Sequence, residues 1–167
     1  MKQMEVESEQ PSKFERTLRD TYELFLKDYC RKRAEAYFGY YLRRMQVISP
    51  VEIEDELETH LSAEEFWDLF QLDLLITGQP RYQPDAPQVW LAVEISRVVD
   101  RHDVERAQRR AGHLSRAGYV SVPAVAGEQA TEGAEALARE EGVLLVLGDR
   151  TSFWERALEQ TLASTGG

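Results

Sequence analysis

Two carboxylates interrupt runs that otherwise read as buried β-strands. Asp73 lies in Phe70-Gln-Leu-Asp-Leu-Leu-Ile76, and Glu94 lies in Val89-Trp-Leu-Ala-Val-Glu-Ile-Ser96. An ionised carboxylate inside an apolar sheet is costly unless something pairs with it, so the fold must supply a partner for each acid. Side chains alternate along a strand. Leu91, Val93 and Ile95 therefore face one way, and Trp90, Ala92, Glu94 and Ser96 the other. In the first run Gln71, Asp73 and Leu75 share a face opposite Leu72, Leu74 and Ile76. If the strands are neighbours, Gln71, Asp73, Glu94 and Ser96 form one polar patch at a sheet end. Two carboxylates and a backbone carbonyl such as that of Ile95 suit Mg²⁺, with Mn²⁺ as a substitute. Such an ion would support phosphodiester chemistry. The other reading is structural: each acid is satisfied by an arginine or by backbone amides, with no metal.

The chain of 167 residues is long enough for one domain with a real core, and its 43% hydrophobic content is that of a globular protein. A net charge of −10 argues against non-specific coating of nucleic acid, though it leaves room for a local basic groove. The single cysteine, Cys30, allows no intrachain disulfide and reads as a packing residue in a reducing compartment. No apolar run reaches the roughly 18–20 residues of a membrane span. The first ten residues lack the apolar core of a signal peptide. The expectation is a cytoplasmic protein that does not enter membranes.

Residues 1–10 are polar and expected to fray. From Pro11, Phe14, Leu18, Tyr22, Phe25, Tyr29, Ala36 and Tyr37 recur mostly at helical spacing, which places a long helical segment over 11–44. Its first half can protrude and pair with a second copy, or fold back on its own core. Residues 45–167 then form the α/β domain. Met45–Ile48 is a short strand, and Ser49-Pro-Val-Glu52 and Ser62-Ala-Glu-Glu65 cap two acidic helices. Those acids read as a solvated face, or as an answer to the basic cluster Lys27, Arg31, Lys32, Arg33, Arg43 and Arg44. Strands over 70–77 and 88–97 flank a loop with Gly78, Pro80, Pro84 and Pro87. A helix over 103–117 ends at Gly118, and strand 119–126 contains Pro123, which predicts an edge or a bulge. A helix from Thr131, a strand Val143–Leu147 and a helix from Ser152 close the chain. Antiparallel pairing followed by β-α-β crossovers defines an α/β fold with a mixed central sheet, helices on both faces and a long N-terminal helix.

Arg106, Arg109 and Arg110, with Arg97, give a basic helix and its approach. Such a helix can meet phosphates, or it can salt-bridge with Asp103 and Glu105. His60, His102 and His113 have no metal-ligand spacing and read as surface or capping residues. Gly127 reads as a turn glycine at a strand end.

An Asp in one strand, Glu-Ile-Ser in the next and Asp103-Val-Glu-Arg106 on the following helix resemble the restriction-endonuclease-like PD-(D/E)xK nuclease superfamily. With Ala36-Tyr-Phe-Gly39 and Val122-Pro-Ala-Val-Ala-Gly127, they look more like a bacterial group of that superfamily with a helical N-terminal part. The likeness covers roughly residues 30–150. It implies a metal site of Asp73 and Glu94, with Glu35, or next Glu23, as a third acidic ligand from the first helix. The lysine of the superfamily motif falls at Ser96, which carries no positive charge and could only hold a water. Two functions follow as expectations. One is Mg²⁺-dependent hydrolysis of DNA through a degenerate site, with Asp73, Glu94 and Ser96 as catalytic residues. The other is a non-catalytic nuclease-fold module for protein assembly.

Overall fold

The computed structural model describes residues 10–148 and 150–165. The frayed start expected over residues 1–10 falls outside the described residues except for Gln10. A capping box at Ser12 and Glu15 opens α1 (Lys13–Lys32), and a break at Arg33 separates it from α2 (Ala34–Phe38). The long N-terminal helix is thus two pieces. The segment assigned to it also ends sooner, because β1 (Leu42–Val47) starts at the fully buried Leu42.

A 3₁₀ turn leads into α3 (Glu54–His60), and the Ser62–Glu65 capping box opens α4 (Ala63–Leu69). Then come β2 (Leu74–Pro80), β3 (Val89–Ile95), the two-residue β4 (Val98–Val99) and α5 (Arg101–Arg116). The chain continues with β5 (Ser121–Gly127), the two-residue β6 (Gln129–Ala130) and α6 (Glu132–Glu141). It closes with β7 (Leu144–Leu147), β8 (Arg150–Ser152) and α7 (Trp154–Thr165). The six-stranded sheet has the order β1-β2-β3-β5-β7-β8. β1, β2 and β3 form an antiparallel meander, whereas β3, β5 and β7 run parallel through the crossovers of α5 and α6. β4 and β6 pair outside this sheet. The architecture is therefore the expected α/β class with a mixed sheet.

Both faces of the sheet are covered. Leu74, Ile76, Leu91, Val93, Ile95, Val122 and Ala124 pack against Leu26 and Cys30 of α1, Phe38 of α2 and Leu158 of α7. Leu75 and Ala92 point the other way, onto Leu57 of α3, Leu69 of α4 and Leu114 of α5. The alternation expected for β3 holds. Leu72 departs from expectation and joins Leu75, because β2 starts four residues later than the apolar run. Phe70 caps α4, and the N–H groups of Gln71 and Leu72 still bond to Asp68 and Leu69, so neither residue is pleated.

Prolines account for two further differences. β2 continues through Gly78 to Pro80, because β1 lies along its outer side and pairs Leu42 with Pro80. Pro123 sits inside a central strand instead of marking an edge. The N–H groups of Trp90 and Ser96 donate to Val120 and Ala126, so even-numbered residues of β5 address β3 and Pro123 addresses the β7 flank. β7 begins opposite Ala124, so the N–H that proline lacks faces a stretch with no ladder.

Gly127 is set by close approach instead of by a turn. A Cβ there would collide with the carbonyl of Ser96 and crowd Val99. Gly127→Ala should cost about 1–3 kcal/mol. Gly112, inside α5 with nothing nearer than Arg116 Nη1 at 3.8 Å, should gain roughly 0.5–1 kcal/mol as alanine. Guanidinium unfolding midpoints of the two variants should therefore move in opposite directions.

Candidate functional site: a closed acid pair

The register Leu74↔Val93 places Asp73, one residue before β2, opposite Glu94 near the end of β3. The two acids converge as expected. Asp73 Oδ2 accepts the Ile95 N–H at 2.9 Å, so a side chain extends the β2–β3 ladder by one bond. The Asp73 N–H in turn points at Glu94 Oε2 at 3.4 Å.

Each acid also has cations of its own. Lys27 Nζ lies 3.0 Å from Asp73 Oδ1, and the Arg31 guanidinium donates to the Asp73 carbonyl at 3.2 Å. Arg110 Nη1 donates to Glu94 Oε1 at 2.6 Å, and Arg106 Nε approaches the same oxygen at 3.4 Å. The side chains of Glu94 and Arg110 are 4% and 8% exposed, so this pair is desolvated; that of Lys27, at 38%, reaches water. Burial pushes the Glu94 carboxyl above its ordinary pKa and the Asp73 charge adds to the rise, while Arg110 opposes both.

Three of the four arginines expected to meet phosphate are engaged by carboxylates of the chain itself; Arg110 is buried, while Arg106 and Arg109 keep part of their side chains in solvent. Arg106 pairs with Asp103 as well as Glu94. Arg109 makes a two-pronged bond to Asp68 of α4, at 2.9 and 3.0 Å. Arg110 spans Glu94 and Asp68. Arg97 is exposed, and its backbone N–H donates to Glu23 Oε1 at 3.3 Å. The acids of α4 thus answer α5 instead of the basic cluster on the first helix. His113, read as a surface residue, is buried and donates from Nε2 to Asp68 Oδ2 at 2.9 Å. The bond from Arg109, joined by that from His113, holds the Asp68 carboxyl well below the usual carboxylate range.

Glu35 is not brought to the pair. It lines a hollow with Gly39, Leu42 and Arg81, at the end of β2 remote from Asp73. Glu23, the second choice, does lie at the correct end, through its bond to Arg97. Ser96 adjoins the acids, but its hydroxyl donates to the Val98 carbonyl at 3.1 Å. Lys27 was not anticipated as the partner of Asp73. Its position beside Leu26, and four residues after Glu23, places it on the inward face of α1, which is the signal that could have found it.

All four carboxylate oxygens of the pair therefore face protein donors. Among the described residues, no group of three or more His, Cys, Asp and Glu side chains could hold a metal ion. In this arrangement the residues do not fit a resident Mg²⁺: an ion would have to displace Lys27 from Asp73 and compete with a buried guanidinium for Glu94.

No protein-family model matches the chain, and the curated proteins give no match. Among solved structures, the crystal structure of a repair endonuclease from Pyrococcus abyssi is similar over 44% of this chain, with 21% identity and a TM-score of 0.36. The aligned part spans 32% of that protein, about a third of its length. At that level the similarity assigns this chain neither a family nor an activity. Among the described residues, no helix is long and apolar enough to cross a membrane.

Glu94→Gln should destabilise the protein by about 3 kcal/mol, the low end for a broken buried pair, because Arg110 keeps only Asp68, 3.4 Å away and shared with Arg109 and His113. Glu94→Leu combined with Arg110→Met should recover most of that loss in urea unfolding. Asp68 gives a pH prediction. Its folded pKa is depressed, so its contribution is full above the ordinary carboxylate value near 4 and fades as pH falls through the folded value. Asp68→Asn should flatten the acid limb of stability between about pH 5 and pH 2, read from denaturant midpoints.

Proposed function

We propose that this chain is a nuclease-like module whose acid pair has become an internal ion-pair cluster, and that it works by protein assembly instead of phosphodiester hydrolysis. The observation that carries this reading is the engagement of Asp73 and Glu94 by Lys27, Arg106 and Arg110. Two carboxylates facing three cations have no excess negative charge with which to draw in a divalent ion. The arginines that would have met phosphate are spent on Glu94, Asp68 and Asp103. A net charge of −10 further disfavours a nucleic-acid backbone. The nuclease-like part of the proposal rests on topology: a helix, an antiparallel meander and a crossover helix, with one acid just before the second strand facing another on the third.

One observation favours the second reading, Mg²⁺-dependent hydrolysis of DNA. Lys27 brings to Asp73 an ammonium like that of the motif lysine, which this chain replaces with Ser96, and its partly exposed side chain can swing away. Differential scanning fluorimetry with Mg²⁺ or Mn²⁺ separates the two. The assembly reading expects no metal-dependent rise in Tm and no cleavage of plasmid or oligonucleotide DNA. A rise in Tm of several degrees that disappears in Asp73→Asn with Glu94→Gln, together with cleavage, would establish the hydrolase instead.

A further inference from the structure

The outer half of α1 is exposed over residues 13–22. A helix this short is marginal in water without a packed face. Yet it shows solvent a continuous apolar stripe: Phe14 is 73% exposed, Leu18 54% and Phe25 62%, with Tyr22 beside them. Phe14, Leu18, Thr21 and Phe25 follow four-, three- and four-residue steps, the spacing of a coiled-coil seam. That seam runs beside the core-facing side of the helix: Leu18 and Tyr22 continue the four-residue steps of the buried Leu26 and Cys30, and the Tyr22 hydroxyl bonds to Glu128 of the body. A shallow furrow runs along it, lined by Phe14, Thr17, Leu18, Thr21, Tyr22 and Phe25.

The order of large and small side chains identifies the occupant. Reversing the helix about its midpoint between Arg19 and Asp20 brings Leu18 against Thr21, Tyr22 against Thr17 and Phe14 against Phe25. Two of the three contacts match a large side chain with a small one, as interdigitating layers require. Parallel, in-register pairing would instead set each large residue against its own copy. We infer that α1 pairs with the α1 of a second copy of this chain, antiparallel, about a two-fold axis between residues 19 and 20. The interface is isologous, as a two-fold axis demands. The seam from Phe14 to Phe25 is only about 17 Å long. That is at the small end for a stable interface, so the dimer is weak and concentration-dependent.

This inference gives the assembly reading its partner, and its test is separate. Sedimentation velocity of the full chain over a concentration series should show a reversible monomer–dimer equilibrium. Phe14→Lys or Phe25→Glu alone should weaken it at least tenfold. The two substitutions in one chain should restore it, because each ammonium then faces a carboxylate of the other copy. Both positions are exposed, so the variants should melt like the wild type. A wild type that stays monomeric at about 200 μM would overturn the pairing, as would a double substitution that fails to restore it. Metal binding with DNA cleavage would sink the assembly reading but leave the helix pairing standing.

Discussion

Glu94 is the charge this sheet could least tolerate alone. It sits in the middle layer, 3% exposed, between the β2 and β5 ladders. A carboxylate there needs a partner that is itself held in place, and Arg110 meets that condition because it is anchored at both ends. One nitrogen reaches Glu94 and the other reaches Asp68 on α4. The consequence extends beyond one ion pair. α5 must lie across the sheet with Arg110 facing inward, and α4 must bring Asp68 within reach. The placement of α4 and α5 on that face is thus coupled to one acidic residue of β3.

The opposite side of the sheet is coupled through Asp73. Its carboxylate completes the β2–β3 ladder and receives Lys27, so α1 is tied to the end of the same two strands. The layers meet at the acid pair from both directions, one through guanidinium groups and the other through an ammonium. Lys27 meets Asp73, and Arg106 and Arg110 meet Glu94, so each acid's charge is answered from within the chain.

The sequence made the strands, the capping boxes and the convergence of Asp73 with Glu94 legible, because these follow from period, local capping chemistry and register. It did not reveal what completes the acids. Arg110 lies at the edge of the apolar stripe formed by Val104, Ala107, Ala111 and Leu114, where a helical wheel marks it as inward-facing. Whether such an arginine meets a phosphate or a carboxylate depends on what α4 presents, which is a tertiary fact. Glu35 failed as a ligand for a similar reason. The break at Arg33 and the early start of β1 move it to the far end of β2, and a continuous helical pattern does not disclose a break. Pro123 shows the limit of a local rule: proline is excluded from a ladder bond, and a central strand still accommodates it where its neighbour has not yet begun.

α1 is one unbroken rod from Lys13 to Lys32, gripped by the body only through its later turns. Lys27 lies two residues beyond Phe25 on the same rod. Lys27 also lies between Leu26 and Cys30, so the ammonium that meets Asp73 is placed by the turns of α1 that are seated on the core. The same helix thus divides its work along its length: the seated turns neutralise the acidic end of the sheet, and the outer turns are left to meet whatever lies outside the domain.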